Sequence, residues 1–527
     1  MRKTVSILLQ QHRLKNHLHG GNSRIRFKLK EDMEWVKEAN YHSLFRQCKS
    51  LTHTKLLHSH IILTGFKLPV STESLLVSLY AKWDSLDDAR RVFDKMPKRT
   101  VVSWTVIISG YVRQGMSKEA LVFFNRMRLE GMQPNEFTFA TVLPACAHLG
   151  FLQYGKRLHQ DVVRCGFASD VFVTSALVDM YCKCGNMKNA RLVFDQMPQR
   201  NVVSWNALIG GCLYNGYVDE ALRMFRDMPE HNVVSWSAII GGYVQHGFFE
   251  KALEMFREMQ ATGLKANPVT FASLLPACAN LAALNQGKEV HQEIIRSGFQ
   301  RNAFVESALV DMYAKCGSLE EGYKVFKKIH KQELVSWNAM IFGYAMHGCV
   351  EDALKFFNQM LQSGTKPDSI TFIAVLSACC HVGLVHDGWK YFHSMNQTYQ
   401  ITPGLEHYSC MVDILGRAGH LDEAHELILK VPGKPDPTLW VSLLGACRLH
   451  ANVELGECIA KHLFEMDPAH SAHYVLLSNI YAVAGRWEDR ENVRKLMKTK
   501  SIKRMTGCSW IEVNNKVHTF RAGNGKA

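Results

Sequence analysis

The tetrapeptide Val-Val-Ser-Trp begins at Val101, Val202 and Val233, and Leu-Val-Ser-Trp begins at Leu334, so the starts are 101, 31 and 101 residues apart. Other phrases recur at an interval of 132: PACAHLG from Pro144 and PACANLA from Pro276, Gly-Phe at Gly166 and Gly298, DMYCKCG from Asp179 and DMYAKCG from Asp311. The intervals resolve into a module of two 35-residue units and one of 31, into which a further 31-residue unit is inserted. A period in this range marks a solenoid or array, in which each unit buries its apolar face only against its neighbours.

Within a unit the pattern is helical. Over residues 101–135, Val101, Val102, Trp104, Ile107, Ile108 and Tyr111 recur at steps of three and four before Gly115 breaks the run. A second run follows in Ala120, Leu121, Phe124, Met127 and Met132, with Gly131 and Pro134 as stop signals. The pattern predicts an antiparallel helix pair, and its repetition predicts an all-α, right-handed superhelical α-solenoid of stacked antiparallel helix pairs. The tryptophans and valines are then chiefly packing residues between repeats.

The formal net charge of +14 over 527 residues suggests a nucleic-acid partner, but it is unevenly distributed. Residues 1–30 carry Arg2, Lys3, Arg13, Lys15, Arg24, Arg26, Lys28 and Lys30 and no acid, which leaves +6 for the remaining chain. An acid-free basic leader ahead of the repeats reads as an organelle-targeting presequence, and its few serines favour the mitochondrion over the plastid. A disordered basic arm is the other reading of that composition. No apolar run reaches the length of a membrane span, so no membrane partner is expected. Of the fifteen cysteines, Cys146, Cys278 and Cys379 share one repeat position and Cys184 and Cys316 another, as buried small hydrophobes would. There is no CxxC, and Cys182 aligns with Ala314, so no metal and no cofactor is expected.

Two catalytic motifs are approached and missed. GFLQYGKR, residues 150–157, matches a phosphate loop until Arg157 replaces its magnesium-binding Ser or Thr, and the aligned repeat has Ala282 for the first glycine. His291-Gln292-Glu293 has the HxE form of a zinc deaminase but aligns with His159-Gln160-Asp161 and lacks the PCxxC partner. With no GxSxG elbow or HExxH helix either, the chain is not expected to be an enzyme.

The phrases VVSWNALI, LVDMYAKCGSLEE, ARRVFDKMP, GKRLH and EALVFFNRM with QPN resemble the plant pentatricopeptide repeat family, in its subfamily of alternating long, short and standard repeats. The resemblance covers about residues 38–513. LWVSLLGACRLHANVELGE from Leu439 and YVLLSNIYAVAGRWED from Tyr474 are similar to the family's E motifs. GCSWIEVNNKVHTF from Gly507 resembles the start of the segment leading into the deaminase domain called DYW, with Thr506 where the family usually has proline. The implied organisation is a leader or disordered arm over 1–37, a repeat array over 38–436, helical E motifs over 437–504, and a truncated E+ segment over 505–527.

The resemblance implies that the fifth residue of a repeat and its last residue read one RNA base together. A Ser or Thr hydroxyl can meet a purine ring nitrogen, Asp only accepts and so selects base N–H donors, and Asn does both. Thr105 with Asn135 implies adenine, as do Ser175 with Asn201 and Ser237 with Asn267; Asn206 with Asn232 implies a pyrimidine, cytosine by preference. Asn338 with Asp368 implies uracil and Ser409 with Asp436 guanine. Ala140, Ala272 and Ile373 occupy the fifth position of the long repeats and cannot hydrogen-bond, while Ser307 with Glu333 and Ser74 with Thr100 imply no base. The second valines Val102, Val203, Val234 and Val335 are implied to wedge between bases. With RNA parallel to the chain, the implied target from Val101 onward is A-N-A-Y-A-N-N-U-N-G. The same Asn and Ser residues also suit helix N-terminal capping.

The resemblance thus implies a monomeric, sequence-specific binder of single-stranded organelle RNA, most simply a site-recognition factor for cytidine-to-uridine editing. Its E region would recruit a trans-acting deaminase or accessory proteins, and no residue of this chain would be catalytic. The alternatives are a role in organelle RNA splicing, stabilisation or processing, and a tetratricopeptide-like protein-interaction scaffold.

Overall fold

The recurring Val-Val-Ser-Trp resolves into three separate duties in the computed structural model. That structure describes residues 41–330, 332–433, 436–500, 502, 508–513 and 516–521. The residue before each tetrapeptide is an N-cap: Thr100 Oγ1 accepts from Ser103 N at 3.2 Å, Asn201 Oδ1 from Ser204 N at 2.8 Å, and Asn232 Oδ1 from Ser235 N at 2.9 Å. The serine returns the bond, its Oγ accepting from the cap's own backbone N–H at 2.9–3.1 Å. These reciprocal bonds satisfy two of the donors that every helix start leaves open. The tryptophan is buried in all four copies, edge-on to the phenylalanine of the preceding helix, as in Phe93–Trp104 at 4.7 Å and Phe326–Trp337 at 4.7 Å between centroids. The second valine is left outside.

Among the described residues 28 helices alternate as first and second members of antiparallel pairs. The repeat starts read from the sequence coincide with the first residues of helices Val101–Arg113, Val171–Lys183, Val202–Tyr214, Val233–Gln245, Leu334–Met346 and Leu405–Arg417. The chain divides into two units, Met1–Ile239 and Ile240–Ala527. In the first, helices Val70–Lys82, Val101–Arg113, Glu136–Leu149, Val171–Lys183 and Val202–Tyr214 pack each on the next, and each holds its own second helix. In the second, the same stacking runs from Pro268–Asn280 through Ala303–Lys315, Leu334–Met346, Ser369–Val382, Leu405–Arg417 and Pro437–Leu449 to Ser471–Val483. The stacked pairs predicted from the periodicity are therefore present in both units.

Polar side chains tie successive first helices together where their last carbonyls would otherwise be orphaned. Asn215 Nδ2 donates to Cys182 O at 2.9 Å, His347 Nε2 to Ala314 O at 2.9 Å, and His450 Nε2 to Gly416 O at 2.9 Å. A left-handed glycine then turns the chain into the second helix, as Gly115 does at φ 74°, a conformation that costs a side-chain-bearing residue.

One expectation needs correction. Cys146, Cys278 and Cys379 are buried, and burial pushes the Cys146 and Cys379 thiols up to about 12. Cys184 and Cys316 are only half-buried, because they cap helix ends and point their Sγ at the carbonyls of Cys146 and Cys278, 3.8 and 3.6 Å away. The all-α solenoid is as expected, and after its last helix, which ends at Thr499, Cys508–Val513 (β1) pairs antiparallel with Lys516–Arg521 (β2), Cys508 opposite Arg521 and Val513 opposite Lys516. The β-branched and aromatic content of CSWIEV and KVHTFR favours strand over helix. The leader expected over residues 1–37 lies outside the described residues.

Candidate nucleic-acid interface

Because each first helix begins at the repeat start, the fifth residue lies one turn into it. The last residue of that repeat caps the next first helix. Stacking brings the two together. Asn338 Nδ2 donates to Asp368 Oδ1 at 3.1 Å, and Ser74 Oγ lies 3.2 Å from Thr100 Oγ1, a pair to which the sequence assigned no base. Thr105 and Asn135 are joined through Thr138, whose Oγ1 is 2.8 Å from Thr105 Oγ1 and donates to Asn135 Oδ1 at 2.8 Å.

Capping fixes which atom of the last residue faces outward. A backbone N–H can only donate, so the contacting atom of an asparagine cap is its Oδ1 and its two amide protons remain on the other side. Asn135, Asn201, Asn232 and Asn267 accept from the third residue of the following helix at 3.0, 2.8, 2.9 and 2.9 Å. Asp368 caps the same way, Oδ1 to Thr371 N at 2.8 Å, and leaves Oδ2 as an acceptor. Asp436 accepts from Thr438 N at 2.8 Å and Thr438 Oγ1 at 2.6 Å, and these bonds hold its carboxyl below the usual carboxylate range. Capping and presentation are thus one arrangement. An Asn cap offers a donor where an Asp cap offers an acceptor.

The other expected pairs are placed differently. Ser175 and Ser237 are buried and turn their hydroxyls back onto their own helix, to Val171 O at 2.6 Å and Val233 O at 2.7 Å. Among the described residues no direct bond joins Ser175 to Asn201, Asn206 to Asn232, or Ser409 to Asp436. Asn206 Oδ1 is buried without a hydrogen-bond partner, the kind of orphan acceptor that folded proteins rarely keep.

The second positions stand clear of the core: Val102, Val203, Val234 and Val335 are each 56–61% exposed. Sequence reasoning stopped at valine and missed the rest of the row. Phe137 and Phe172 in the first unit, and Val269, Phe304 and Ile370 in the second, occupy the same repeat position and are 60–79% exposed. The repeat register alone could have found them, since each immediately follows a helix start.

The near-miss motifs have structural duties. Gly150 ends helix Glu136–Leu149 in the left-handed region, and helix Leu152–Arg164 follows, so GFLQYGKR joins two helices. A Cβ at Gly155 would lie 2.4 Å from Met180 Sδ, and one at Gly287 2.4 Å from Met312 Sδ; both glycines admit a neighbouring helix. His159 Nδ1 lies 2.9 Å from the Tyr181 hydroxyl and His291 Nδ1 2.8 Å from the Tyr313 hydroxyl, while His58 repeats the contact with Tyr80 at 2.9 Å. Among the described residues no group of three or more His, Cys, Asp or Glu could hold a metal ion, and no helix is long and apolar enough to cross a membrane.

These features define a helical-repeat protein that offers, at several repeat boundaries, a polar pair beside an exposed apolar residue. The PPR repeat family profile matches residues 99–148, 200–233, 231–280 and 332–381. The PPR repeat profile matches 74–101, 172–202, 307–334, 370–397 and 406–434, and an E motif matches 450–512. Pentatricopeptide repeat-containing protein At2g13600 of Arabidopsis thaliana is 43% identical over 495 residues, covering 92% of this chain and 71% of that one. Pentatricopeptide repeat-containing protein At2g03880, mitochondrial, from the same plant, is 37% identical over 493 residues, covering 93% and 72%. The crystal structure of pentatricopeptide repeat protein PPR10 with an 18-nt psaJ RNA element covers 95% of this chain and 88% of that one, at 16% identity and a TM-score of 0.45. The chain belongs to the pentatricopeptide repeat family, with alternating long, short and standard repeats and an E motif.

Proposed function

We propose that this protein binds a specific single-stranded RNA site in a plant organelle, mitochondrion or plastid, and marks that site for cytidine-to-uridine editing by a deaminase supplied in trans. The observation that carries the reading is the Asn338–Asp368 contact, a fifth and a last residue adjoining at the head of a helix. Asp368 Oδ2, which the cap does not use, would accept from a base ring N–H and Asn338 would choose among bases by size, which fits uracil. The Asn caps present amide donors, which suit the ring nitrogens of adenine or cytosine. Apolar second residues supply faces against which bases stack, a contact worth about 1–3 kcal/mol per base where the side chain is aromatic.

Thr105/Asn135, Ser175/Asn201 and Ser237/Asn267 then read adenine, Asn206/Asn232 a pyrimidine with cytosine preferred, Asn338/Asp368 uracil and Ser409/Asp436 guanine. Ser175 and Ser237 donate to a base ring nitrogen only after releasing their helix carbonyls, which makes them weaker readers than Thr105. The E region positions the partner enzyme. Its first helices, Pro437–Leu449 and Ser471–Val483, carry Val441 and Val475 at the fifth place, where no polar reader stands.

The test is a gel shift of the protein with A-N-A-Y-A-N-N-U-N-G RNA, a shuffled copy and the matching DNA at two salt concentrations. Selective binding of the first is expected; equal binding of all three contradicts base reading. For the editing step, organelle transcripts of a null mutant are sequenced, and unchanged conversion at every site would overturn it.

A further inference from the structure

The long repeats carry Ala140, Ala272 and Ile373 at the fifth position and so cannot themselves hydrogen-bond a base. Their third residues, Thr138, Thr270 and Thr371, are buried, and Thr138 and Thr371 lie against both members of the pair belonging to the preceding repeat. Thr371 Oγ1 lies 2.7 Å from Asn338 Oδ1 and 2.8 Å from Asp368 Oδ1, and accepts from Asp368 N at 3.1 Å. One hydroxyl thus touches both members of the pair and the cap's backbone. Thr138 does the same, 2.8 Å from Thr105 Oγ1, 2.8 Å from Asn135 Oδ1 and 3.4 Å from Asn135 N. Thr270 donates to Asn267 Oδ1 at 3.0 Å.

The serines at the equivalent position elsewhere behave differently. Ser204 and Ser235 donate to the backbone carbonyls of Asn201 and Asn232, both at 2.8 Å, instead of to their side chains. Behind Ser204, the fifth residue Ser175 has turned away to its own helix. Thr138 and Thr371 couple their pairs, and Ser204 does not.

We propose that the third residue of each long repeat is a positioning residue for the base read by the repeat before it. The long repeats thereby take part in recognition without contacting the base. The hydroxyl has one proton to give to Asn338 Oδ1 or Asp368 Oδ1 and keeps both oxygens against Thr371, while Asn338 Nδ2 bonds Asp368 Oδ1, so that Asp368 Oδ2 and the second amide proton of Asn338 are the groups left for the ligand. This inference rests on the RNA-reading function proposed above.

The experiment measures binding of the whole protein to A-N-A-Y-A-N-N-U-N-G and to its A, C and G variants at the eighth base, for wild type, Thr371→Val and Thr371→Ser. The Val variant is isosteric and keeps the backbone N–H cap, so it is expected to fold; Thr138→Val, read at the first base, is the second test. Thr371→Val should reduce the preference for uracil at the eighth base on the order of fivefold, about one neutral hydrogen bond's worth. The preference for guanine at the tenth base should stay unchanged, and Thr371→Ser should lose uracil preference in the same direction as the Val variant, because a serine here turns its hydroxyl to the cap's carbonyl as Ser204 does to Asn201 O. An equal loss of affinity for all four eighth bases, or an unchanged preference, overturns the positioning role. If wild type shows no preference at the eighth base, the RNA-reading function itself falls, a result distinct from failure of the threonine alone.

Discussion

Asn338 and Asp368 are thirty positions apart in the chain, and their side chains meet at 3.1 Å over the start of helix Ser369–Val382. The meeting follows from stacking. A first helix places its fifth residue beside the cap of the next first helix whenever the intervening second helix returns the chain by one repeat. The relation recurs with Ser74 and Thr100, whereas Ser175 turns its hydroxyl onto its own helix, so stacking makes the meeting possible and the side chains decide whether it is made.

The exposed second residues should matter for ligand and not for folding. Replacing Phe137, Phe172 and Phe304 by Ser removes side chains that are 64–79% exposed, so each change should move stability by less than about 0.5 kcal/mol. Trp104→Ala, at a fully buried ring, should cost about 3–5 kcal/mol. Thermal unfolding separates the two classes, and RNA titration should show weakened binding for the phenylalanine variants despite normal unfolding.

The caps give a second contrast. Asn201→Ala removes the acceptor for Ser204 N and should lower stability by about 1 kcal/mol, whereas Asn201→Asp keeps that acceptor and should change it little. Chemical denaturation of both variants checks the order. Equal losses would mean that the side chain does not cap in solution.

Acid should destabilise the array through its half-buried histidines. Burial lowers the affinity of His58, His159 and His291 for a proton below the ordinary value of 6.5. The unfolded chain therefore binds more protons than the folded one as the pH falls below about 6.5, and stability must drop there. Thermal midpoints measured from pH 8 to pH 5 should decline in that window. Replacing the three histidines by Gln should flatten the decline, and an unchanged profile would contradict the assignment.

Gly155→Ala should reveal the duty of the phosphate-loop look-alike. The added methyl would press on Met180, and overpacking of this kind costs about 1–3 kcal/mol. The variant should melt earlier. A nucleoside triphosphate should stabilise neither it nor the wild type.

How much of this was legible in the sequence follows from what repeats. Helix pairs, their starts and the buried tryptophans could be read because the apolar spacing recurs in register at 101, 202, 233 and 334. The fifth and last positions were placed by resemblance, but the route that joins them was not visible. Thr138 and Thr371 look like ordinary helix residues until the next repeat is stacked beneath them. The rotation of Ser175 and Ser237 onto their own helices is a rotamer choice that no spacing encodes. The terminal ribbon was missed because it lies beyond the last repeat, where no period remains to be followed.

The central claim is that the cap of one helix is the base reader of the repeat before it. It is tested most directly by Asp368→Asn, with binding measured to target RNA carrying uracil or cytosine at the eighth base. The substitution keeps an Oδ1 acceptor for Thr371 N and exchanges the outward acceptor for a donor. The variant should fold as wild type does and shift its preference from uracil to cytosine. A folded variant that still prefers uracil, or that binds both RNAs as wild type does, would contradict the account.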